Sequence, residues 1–293
     1  MEQPLVSVII RTIGRASLAR SVASVQAQTW RPLEIVIVHA GGDMMPSLSS
    51  CDDIPLRIVE GGSLTRPQAA NAGLQAAKGE WLIFLDDDDE FLPIHVETLV
   101  DCAMDSDGAL LAYSATACID AEGRIDGVIR EPFNRNRLFE QNYIQIGAAL
   151  FSHELVDEGY RFDETFESLQ DWDFWIQLAH RTHFAFTDRI TNRWNVTTGG
   201  SGAGGGANYD RQAMARFRAK LSQKWASWFS SIERKVLHHT QAARIAMGEG
   251  RAQQAKAHLD TAERVLRGPV QPVASHAKPV IEGHAMETRR SSR

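Results

Sequence analysis

An apolar segment that ends in four consecutive aspartates constrains this chain more than any other feature. Residues 81–85 read Trp-Leu-Ile-Phe-Leu, and Asp86, Asp87, Asp88 and Asp89 follow directly. A short continuous apolar run is typical of a strand that is buried on both faces. In open α/β sheets, ligands bind beyond the carboxyl ends of such strands. The sequence therefore predicts a functional site at the end of this strand.

Other apolar runs alternate with helical patterns through the first hundred residues. Strand character recurs in three runs, at 5–10, 33–38 and 56–59. Helical spacing follows the first run, in Leu18, Val22 and Val25, and Pro67 and Pro93 suit the first turns of two more helices. Continuous apolar strands between helices indicate an α/β domain, Rossmann-like, with a mostly parallel sheet and helices on both faces.

The chain changes character after a glycine-rich stretch. Six of the eight residues at 199–206 are glycine, which favours a loop or linker. We predict an α/β domain over 1–207, a helical extension over 208–268 that contains one repeat-like hairpin, and a disordered tail over 269–293. A stripe in the extension, Met214, Phe217, Leu221, Trp225, Trp228 and Phe229, either packs on the α/β domain or enters a bilayer interface, and packing is the favoured interpretation.

Charge and cysteine content indicate the partners and the compartment. Residues 1–210 hold 15 Lys and Arg against 31 Asp and Glu, whereas the remainder holds 16 against 6. The acidic part disfavours nucleic acid as a partner, and the basic extension suits peripheral contact with an anionic membrane surface. Three cysteines without a CxxC spacing, an acidic start and no apolar run near the length of a membrane span predict a cytoplasmic protein.

The four aspartates predict a metal site. Neighbouring carboxylates repel one another, and a divalent cation relieves that repulsion. Mg²⁺ and Mn²⁺ take few protein ligands and complete their coordination with water and phosphate oxygens. In an extended segment, Asp86 and Asp88 would point to one side and Asp87 and Asp89 to the other. The alternative is a solvated acidic turn before the helix at Pro93.

Several segments, in order and spacing, resemble the family 2 glycosyltransferases of GT-A fold. The likeness spans about residues 5–195 and is carried by the strand and turn at 6–15, the helix end at 21–30, the strand at 33–38, the helix at 66–80, the Leu-Asp-Asp-Asp-Asp segment at 85–89, the Phe-Asp-Glu at 162–164 and the Gln-Asp-Trp-Asp-Phe-Trp at 170–175. The resemblance implies inverting transfer from a nucleoside-diphosphate sugar, with a UDP-sugar favoured, to a glycan or lipid-linked acceptor in cell-surface polysaccharide synthesis. It also implies Mg²⁺ or Mn²⁺ as the cofactor.

The resemblance also implies roles for individual residues. Asp88 would be the principal metal ligand, and Asp86 would contact the metal or the donor ribose. Thr12, Asp87 and His39 would line the donor pocket, Arg66 would pair with the uracil or phosphate region, and Asp171 would be the catalytic base. Without the resemblance, Arg66 is equally a solvated charge at a helix start. The alternative for Asp171 is an N-cap whose pKa the helix would lower, and the catalytic base is the favoured interpretation.

The sequence departs from the family pattern at three places. His39 stands where an acidic residue usually contacts the nucleobase, and Gln170 replaces the expected glutamate. The histidine expected near residues 193–196 is missing, so a third metal ligand is unassigned. These departures keep a second hypothesis open, a degenerate domain that binds nucleotide-sugar or glycan and recruits a partner. A nucleotidyltransferase of similar fold is disfavoured because the first strand is not followed by a glycine-rich basic loop.

Overall fold

The structure, a computed structural model, describes residues 3–41, 44–49, 53–196, 211–226 and 231–266. The strands are β1 (Val6–Thr12), β2 (Leu33–His39), β3 (Leu56–Glu60), β4 (Trp81–Asp86), β5 (Glu90–Phe91), β6 (Leu111–Ile119), β7 (Ile125–Ile129), β8 (Ala149–Ser152) and β9 (Phe184–Asn195). The helices are α1 (Leu18–Gln26), α2 (Arg66–Ala76), α3 (His95–Met104), α4 (Arg135–Glu140), α5 (His153–Asp157), α6 (Gln170–Arg181), α7 (Arg211–Trp225), α8 (Ser231–Gly248) and α9 (Ala252–Leu266). The chain divides into two compact units, residues 1–230 and 231–293.

The described strands form one nine-stranded sheet in the first unit, in the order β3-β2-β1-β4-β8-β6-β9-β5, with β7 paired to β6. The half built from β3, β2, β1 and β4 is parallel, as predicted. The other half is mixed, because β8 runs antiparallel to both β4 and β6. A tight turn, closed by the bond from Asp120 N to Arg124 O, joins β6 to β7 and makes that pair antiparallel.

The centre of the parallel half brings the predicted site residues to one edge. All seven residues of β1 are buried, which fits its place between β2 and β4. The register pairs Arg11 with Asp86 and Thr12 with His39, so the carboxyl ends of the three strands lie side by side. This is the edge at which open α/β sheets bind ligands.

Helix α2 is held against the sheet at the same edge. Thr65 and Gln68 form a capping box, in which Thr65 N donates to Gln68 Oε1 at 3.0 Å. A Cβ at Gly73 would lie 2.3 Å from Ile9 Cγ2, so only glycine allows the helix to approach β1 this closely. The helix therefore begins, with Arg66, beside the carboxyl ends of the strands.

The second unit consists of the α8–α9 hairpin in its described part. Three alanines form its small core, Ala243, Ala246 and Ala255. Helix α8 begins at Ser231, inside the helical extension predicted over 208–268. Among the described residues, no helix is long and apolar enough to cross a bilayer. The glycine-rich stretch at 199–206, Trp228, Phe229 and the tail at 269–293 lie outside the described residues.

Gly79, just before β4, predicts a measurable packing constraint. A Cβ at Gly79 would lie 2.6 Å from Ser7 N and 2.8 Å from Leu5 O, both backbone atoms that cannot rotate away. We expect Gly79→Ala to lower the free energy of unfolding by about 1–3 kcal/mol, the usual cost of overpacking, in urea denaturation.

The matched control is Gly127→Ala, where an added Cβ meets nothing within 4 Å. Its stability should stay within about 0.5 kcal/mol of wild type. Equal stability of the two variants would contradict this account of the β1–β4 junction.

Candidate functional site

A cleft of about 380 Å³ opens at the carboxyl ends of β1 and β4. Its lining includes predicted site residues from four separated parts of the chain, namely Thr12, Arg66, Asp86, Asp87, Asp88 and Asp171. The volume lies within the range of small-molecule sites. The fold therefore gathers into one cavity residues that are up to 159 positions apart in the sequence.

Two arginines that the sequence analysis did not assign pair with the aspartates. Arg11 Nη2 donates to Asp86 Oδ1 at 2.5 Å. Arg15 Nη1 donates to Asp88 Oδ2 at 2.9 Å and to Asp87 Oδ1 at 3.2 Å. The sequence contains a signal for the role of Arg11, because a charged residue at the end of a buried strand requires a partner of opposite charge.

The four aspartates form a turn rather than an extended segment. Asp89 N donates to Asp86 O at 3.0 Å, which closes the turn. The predicted alternation of their side chains was therefore wrong, and Arg15 contacts Asp87 and Asp88 together. Asp89 is buried instead, where it accepts bonds from Gln145 Nε2 at 2.9 Å and from the backbone N of Asn195 at 2.8 Å.

The surroundings give the aspartates different proton affinities. Burial by itself would raise the pKa of Asp86, but Arg11, Arg66 and Arg15 together hold it below its ordinary value. Burial raises the pKa of Asp87, although the bond from Thr12 Oγ1 at 2.6 Å and the charge of Arg15 act in the opposite direction. Burial also raises the pKa of Asp89 well above its ordinary value, and the charges of Asp86 and Asp88 add to that effect.

Asp171 lines the same cleft from the first turn of α6. The N-cap of α6 is Leu169, with a φ of 61°, so the interpretation of Asp171 as the N-cap was wrong. Its Oδ2 accepts a bond from Asn142 Nδ2 at 2.9 Å. Burial raises the pKa of Asp171, contrary to the lowering expected from a helix start, although the backbone N–H of Trp172 still acts to lower it.

Arg66 lies in the lining of the cleft, whereas His39 lies next to a lining residue. Arg66 lines it and interacts electrostatically with both Asp86 and Asp171, and burial lowers the pKa of its guanidinium. His39 lies at the end of β2, with its Nδ1 2.9 Å from Glu60 Oε2, and the next residue, Ala40, lines the cleft. The donor contact assigned to His39 stays a prediction.

Helix α7, which the sequence placed in the extension, packs within the first unit against α6. The fully buried carboxylate of Asp173 accepts bonds from Lys224 Nζ and from Trp225 Nε1, each at 2.8 Å. Lys224 Nζ also donates to Asp163 Oδ2 at 2.6 Å. Trp225 is buried in this contact, so packing rather than a bilayer accounts for this part of the apolar stripe.

The carboxylates of the cleft offer part of a metal site. Within the described ranges, no group of three or more His, Cys, Asp or Glu is arranged to hold a metal ion. Asp86 and Asp88 nevertheless both line the cleft and bring two hard oxygen donors to it. Mg²⁺ and Mn²⁺ need only one or two carboxylates when phosphate and water complete the coordination. The donor set therefore fits a cation that binds together with a phosphate-bearing ligand.

Known proteins resemble this chain in sequence and in fold. Residues 7–156 match the family model described as glycosyl transferase family 2. The uncharacterized glycosyltransferase YwdF of Bacillus subtilis is 29% identical over 185 residues, which are 59% of this chain and 68% of that protein.

Two solved glycosyltransferase structures share the fold. S. aureus TarS 1-349 in complex with UDP-GlcNAc has a TM-score of 0.56 at 11% identity, over 88% of this chain and 91% of that one. The mannosyltransferase PcManGT from Pyrobaculum calidifontis, in complex with GDP-Man and Mn²⁺, has a TM-score of 0.50 at 16% identity, over 90% of this chain and 87% of that one. They confirm the predicted GT-A-like fold class.

The contact between α6 and α7 predicts a pH-dependent loss of stability. Lys224→Ala leaves the buried carboxylate of Asp173 without its ammonium partner, and we expect the free energy of unfolding to fall by about 3 kcal/mol at neutral pH. Burial raises the pKa of Asp173 in the folded state. The loss should therefore shrink as the pH falls through that raised pKa, because protonation removes the buried charge.

Urea denaturation at neutral and mildly acidic pH measures the effect. Lys78→Ala, at an exposed position of the same unit, is the control. Combining Lys224→Ala with Asp173→Asn should restore part of the stability at neutral pH. A loss that does not depend on pH would contradict the assignment to Asp173.

Proposed function

The chain belongs to glycosyl transferase family 2, and from this premise we propose that it transfers a sugar, with inversion, from a nucleoside-diphosphate sugar to a glycan or lipid-linked acceptor. One observation carries the proposal: Arg66, Asp86, Asp88 and Asp171 line a single cleft at the carboxyl edge of the sheet. Inverting transfer needs a site for the diphosphate and a base for the acceptor hydroxyl. These residues supply both kinds of group.

Three arginines support a diphosphate donor. Arg11, Arg15 and Arg66 line the cleft, and a guanidinium pairs well with phosphate oxygens. Arg11 Nη1 is buried and has no hydrogen-bond partner among the described residues, which suits a ligand oxygen. The complexes of TarS with UDP-GlcNAc and of PcManGT with GDP-Man also support a nucleotide-sugar donor, and a UDP-sugar is favoured.

Thr12 and Asp87 form a fixed part of the proposed donor pocket. Thr12 Oγ1 donates to Asp87 Oδ2 at 2.6 Å and accepts a bond from Gly14 N at 2.9 Å. A positive φ of 89° at Gly14 lets the chain turn tightly after β1. His39 completes the proposed pocket through a single hydrogen bond from its imidazole to the nucleobase.

Asp88 is the proposed principal ligand of Mg²⁺ or Mn²⁺, and Asp86 is the second. The bound cation would neutralise the charge that develops on the departing diphosphate. The low pKa of Asp86, which Arg11, Arg66 and Arg15 maintain against burial, keeps its carboxylate ionised and able to bind a cation. The Mn²⁺ in the PcManGT complex supports a divalent cation as the cofactor.

Asp171 is the proposed catalytic base. Its carboxylate accepts the proton of the acceptor hydroxyl as that oxygen attacks the anomeric carbon opposite to the leaving diphosphate. The raised pKa of Asp171, caused by burial, makes it a stronger proton acceptor than an exposed aspartate. The bond from Asn142 Nδ2 holds the carboxylate in place within the cleft, which both residues line.

We place the reaction in cell-surface polysaccharide synthesis, at the cytoplasmic side of the membrane. The basic balance of residues beyond 210 supports peripheral contact between the C-terminal helices and anionic lipid. This setting rests on the family and on charge alone.

Asp88→Asn should remove both transfer and the part of donor binding that depends on a divalent cation. The amide keeps the shape of the side chain but loses the charge that attracts the cation. Calorimetry with UDP-GlcNAc, with and without Mn²⁺, measures the effect, and Asp101→Asn on the exposed face of α3 is the control. Wild-type chain that binds the donor equally well in excess chelator would refute the metal role.

Asp171→Asn should preserve donor affinity and slow the chemical step by about 10²–10⁴-fold. In the wild type, kcat/KM should fall as the pH falls through the raised pKa of Asp171, at a pH above the ordinary aspartate range of about 4. Asp188→Asn, an exposed aspartate of β9, should retain wild-type turnover and the same acidic limb. Near-normal turnover of Asp171→Asn would exclude it as the base.

The same assays test the binding-module hypothesis. If a panel of nucleotide-sugars binds with Mn²⁺ present but none is transferred or hydrolysed, the chain is a binding domain and the proposed function is wrong.

A further inference from the structure

One arginine of α7 occupies a position where the helix pattern calls for an apolar residue. Met214, Leu221 and Trp225 are buried and lie on one face of α7. Arg218 stands four residues after Met214 and three before Leu221, so it shares that face. Met214 and Arg218 both line the cleft. Arg218 therefore places a cation at the cleft, on the helix face that is otherwise buried in the protein core.

Side-chain contacts hold α7 in place beside this position. Lys220 Nζ donates to Thr165 O at 2.5 Å and to Thr165 Oγ1 at 2.8 Å, two residues after Arg218. Lys224 and Trp225 bind the buried carboxylate of Asp173 one turn further on. The backbone of Arg218 is therefore fixed relative to α6, which carries Asp171.

The guanidinium of Arg218 is oriented by an aromatic ring. Its Cζ lies 5.5 Å from the ring centroid of Trp172, the residue next to Asp171. The indole is itself fixed, because Trp172 Nε1 donates to Leu138 O at 2.5 Å. A guanidinium over a ring face can still donate two parallel bonds to an oxyanion.

The other arginines of the cleft interact with its aspartates. Arg11 and Arg15 are paired with Asp86, Asp87 and Asp88, and Arg66 interacts with Asp86. In the part of the chain that the structure describes, no carboxylate forms an ion pair with Arg218, and its side chain is exposed at the cleft. Arg218 thus offers its charge to a ligand rather than to the protein.

We propose that Arg218, positioned over the ring of Trp172, forms an anion subsite for the acceptor, and that the acceptor is a glycan with an oxyanion near its reacting hydroxyl. The subsite is on the acceptor side because it adjoins Asp171, and this step rests on the proposed function. A phosphodiester and a carboxylate present the same pair of oxygens to a guanidinium. The acceptor class is therefore an anionic glycan, either phosphate-linked or built from uronic acids.

Three oligomers of equal length test the subsite in the full chain. A glycerol-phosphate oligomer, a galacturonic acid oligomer and a neutral galactose oligomer are titrated by calorimetry with UDP and Mn²⁺ present. We expect wild type to bind one charged oligomer at least about tenfold more tightly than the neutral one, the size of a charge-assisted hydrogen bond. The preferred oligomer identifies the source of the oxyanion.

Three variants assign the preference to one side chain. In Arg218→Gln the ratio of charged to neutral affinity should fall to about one, and in Arg218→Lys it should be intermediate, because the charge remains but the planar fork is lost. Arg216→Gln, at an exposed position of the same helix, should keep the wild-type ratio. A ratio is independent of the fraction of folded protein, so a less stable variant still gives a decisive result.

Two outcomes overturn the subsite: no preference for either charged oligomer in wild type, or an unchanged preference in Arg218→Gln. Failure of the proposed function gives a different pattern. A chain that turns over no donor but keeps an Arg218-dependent preference contradicts the transferase proposal and supports the anion subsite. Transfer to neutral and charged acceptors alike overturns the subsite alone.

Discussion

The pairing of arginines with aspartates at the carboxyl edge of the sheet is the interaction on which the site depends. Four adjacent carboxylates repel one another, and partial burial strengthens that repulsion. Arg11 on β1 and Asp86 on β4 are register partners, so their ion pair is as well defined as the pairing of the two strands. Arg15, which follows β1 in the chain, forms ion pairs with Asp87 and Asp88 and neutralises part of their charge. The register of β1 and β4 therefore also determines which charges meet in the site.

Helix α6 connects the two sides of the site. Asp171 and Asp173 are two residues apart, which on an α-helix places their side chains about 200° apart around the axis. Asp171 faces the cleft, and Asp173 binds α7 through Lys224 and Trp225. The segment that carries the proposed base thus also fixes the helix that carries Arg218. A substitution at the buried contact between α6 and α7 is therefore expected to alter the positions of Asp171 and Arg218, although the substituted residue does not line the cleft.

The parallel half of the sheet was predictable, whereas two short strands of the mixed half were not. The strands β1, β2 and β4 have six or seven residues, most of them apolar, and such segments carry a strong local signal. The sequence pattern does not predict β5, which has two residues, or β7, whose five residues are exposed or half-buried. Such strands form because a neighbouring strand supplies their hydrogen bonds: β9, distant in the sequence, does so for β5, and β6, across a tight turn, does so for β7.

The same distinction applies within the site. Thr12, Asp86, Asp87, Asp88 and Asp171 were predicted because the ends of parallel strands meet at one edge and because their motifs resemble a known family. Arg11, Arg15 and Arg218 were not assigned, since each acquires its role through a contact with a residue far along the chain. His39 was correctly placed at the edge of the sheet by its strand, but its imidazole contacts Glu60.

The sequence alone determined the strand and helix pattern of the parallel half, the family and the acidic character of the site, because these depend on residues close together in the chain. Only the tertiary structure decided which cations neutralise the aspartates, that α7 belongs beside the cleft, and that the pKa of Asp171 is raised rather than lowered. Burial and long-range contacts decide these properties, as in the bond that joins Asp173 to Trp225 across 52 positions. Local pattern does not encode how deeply a side chain will be buried or which distant charge it will meet.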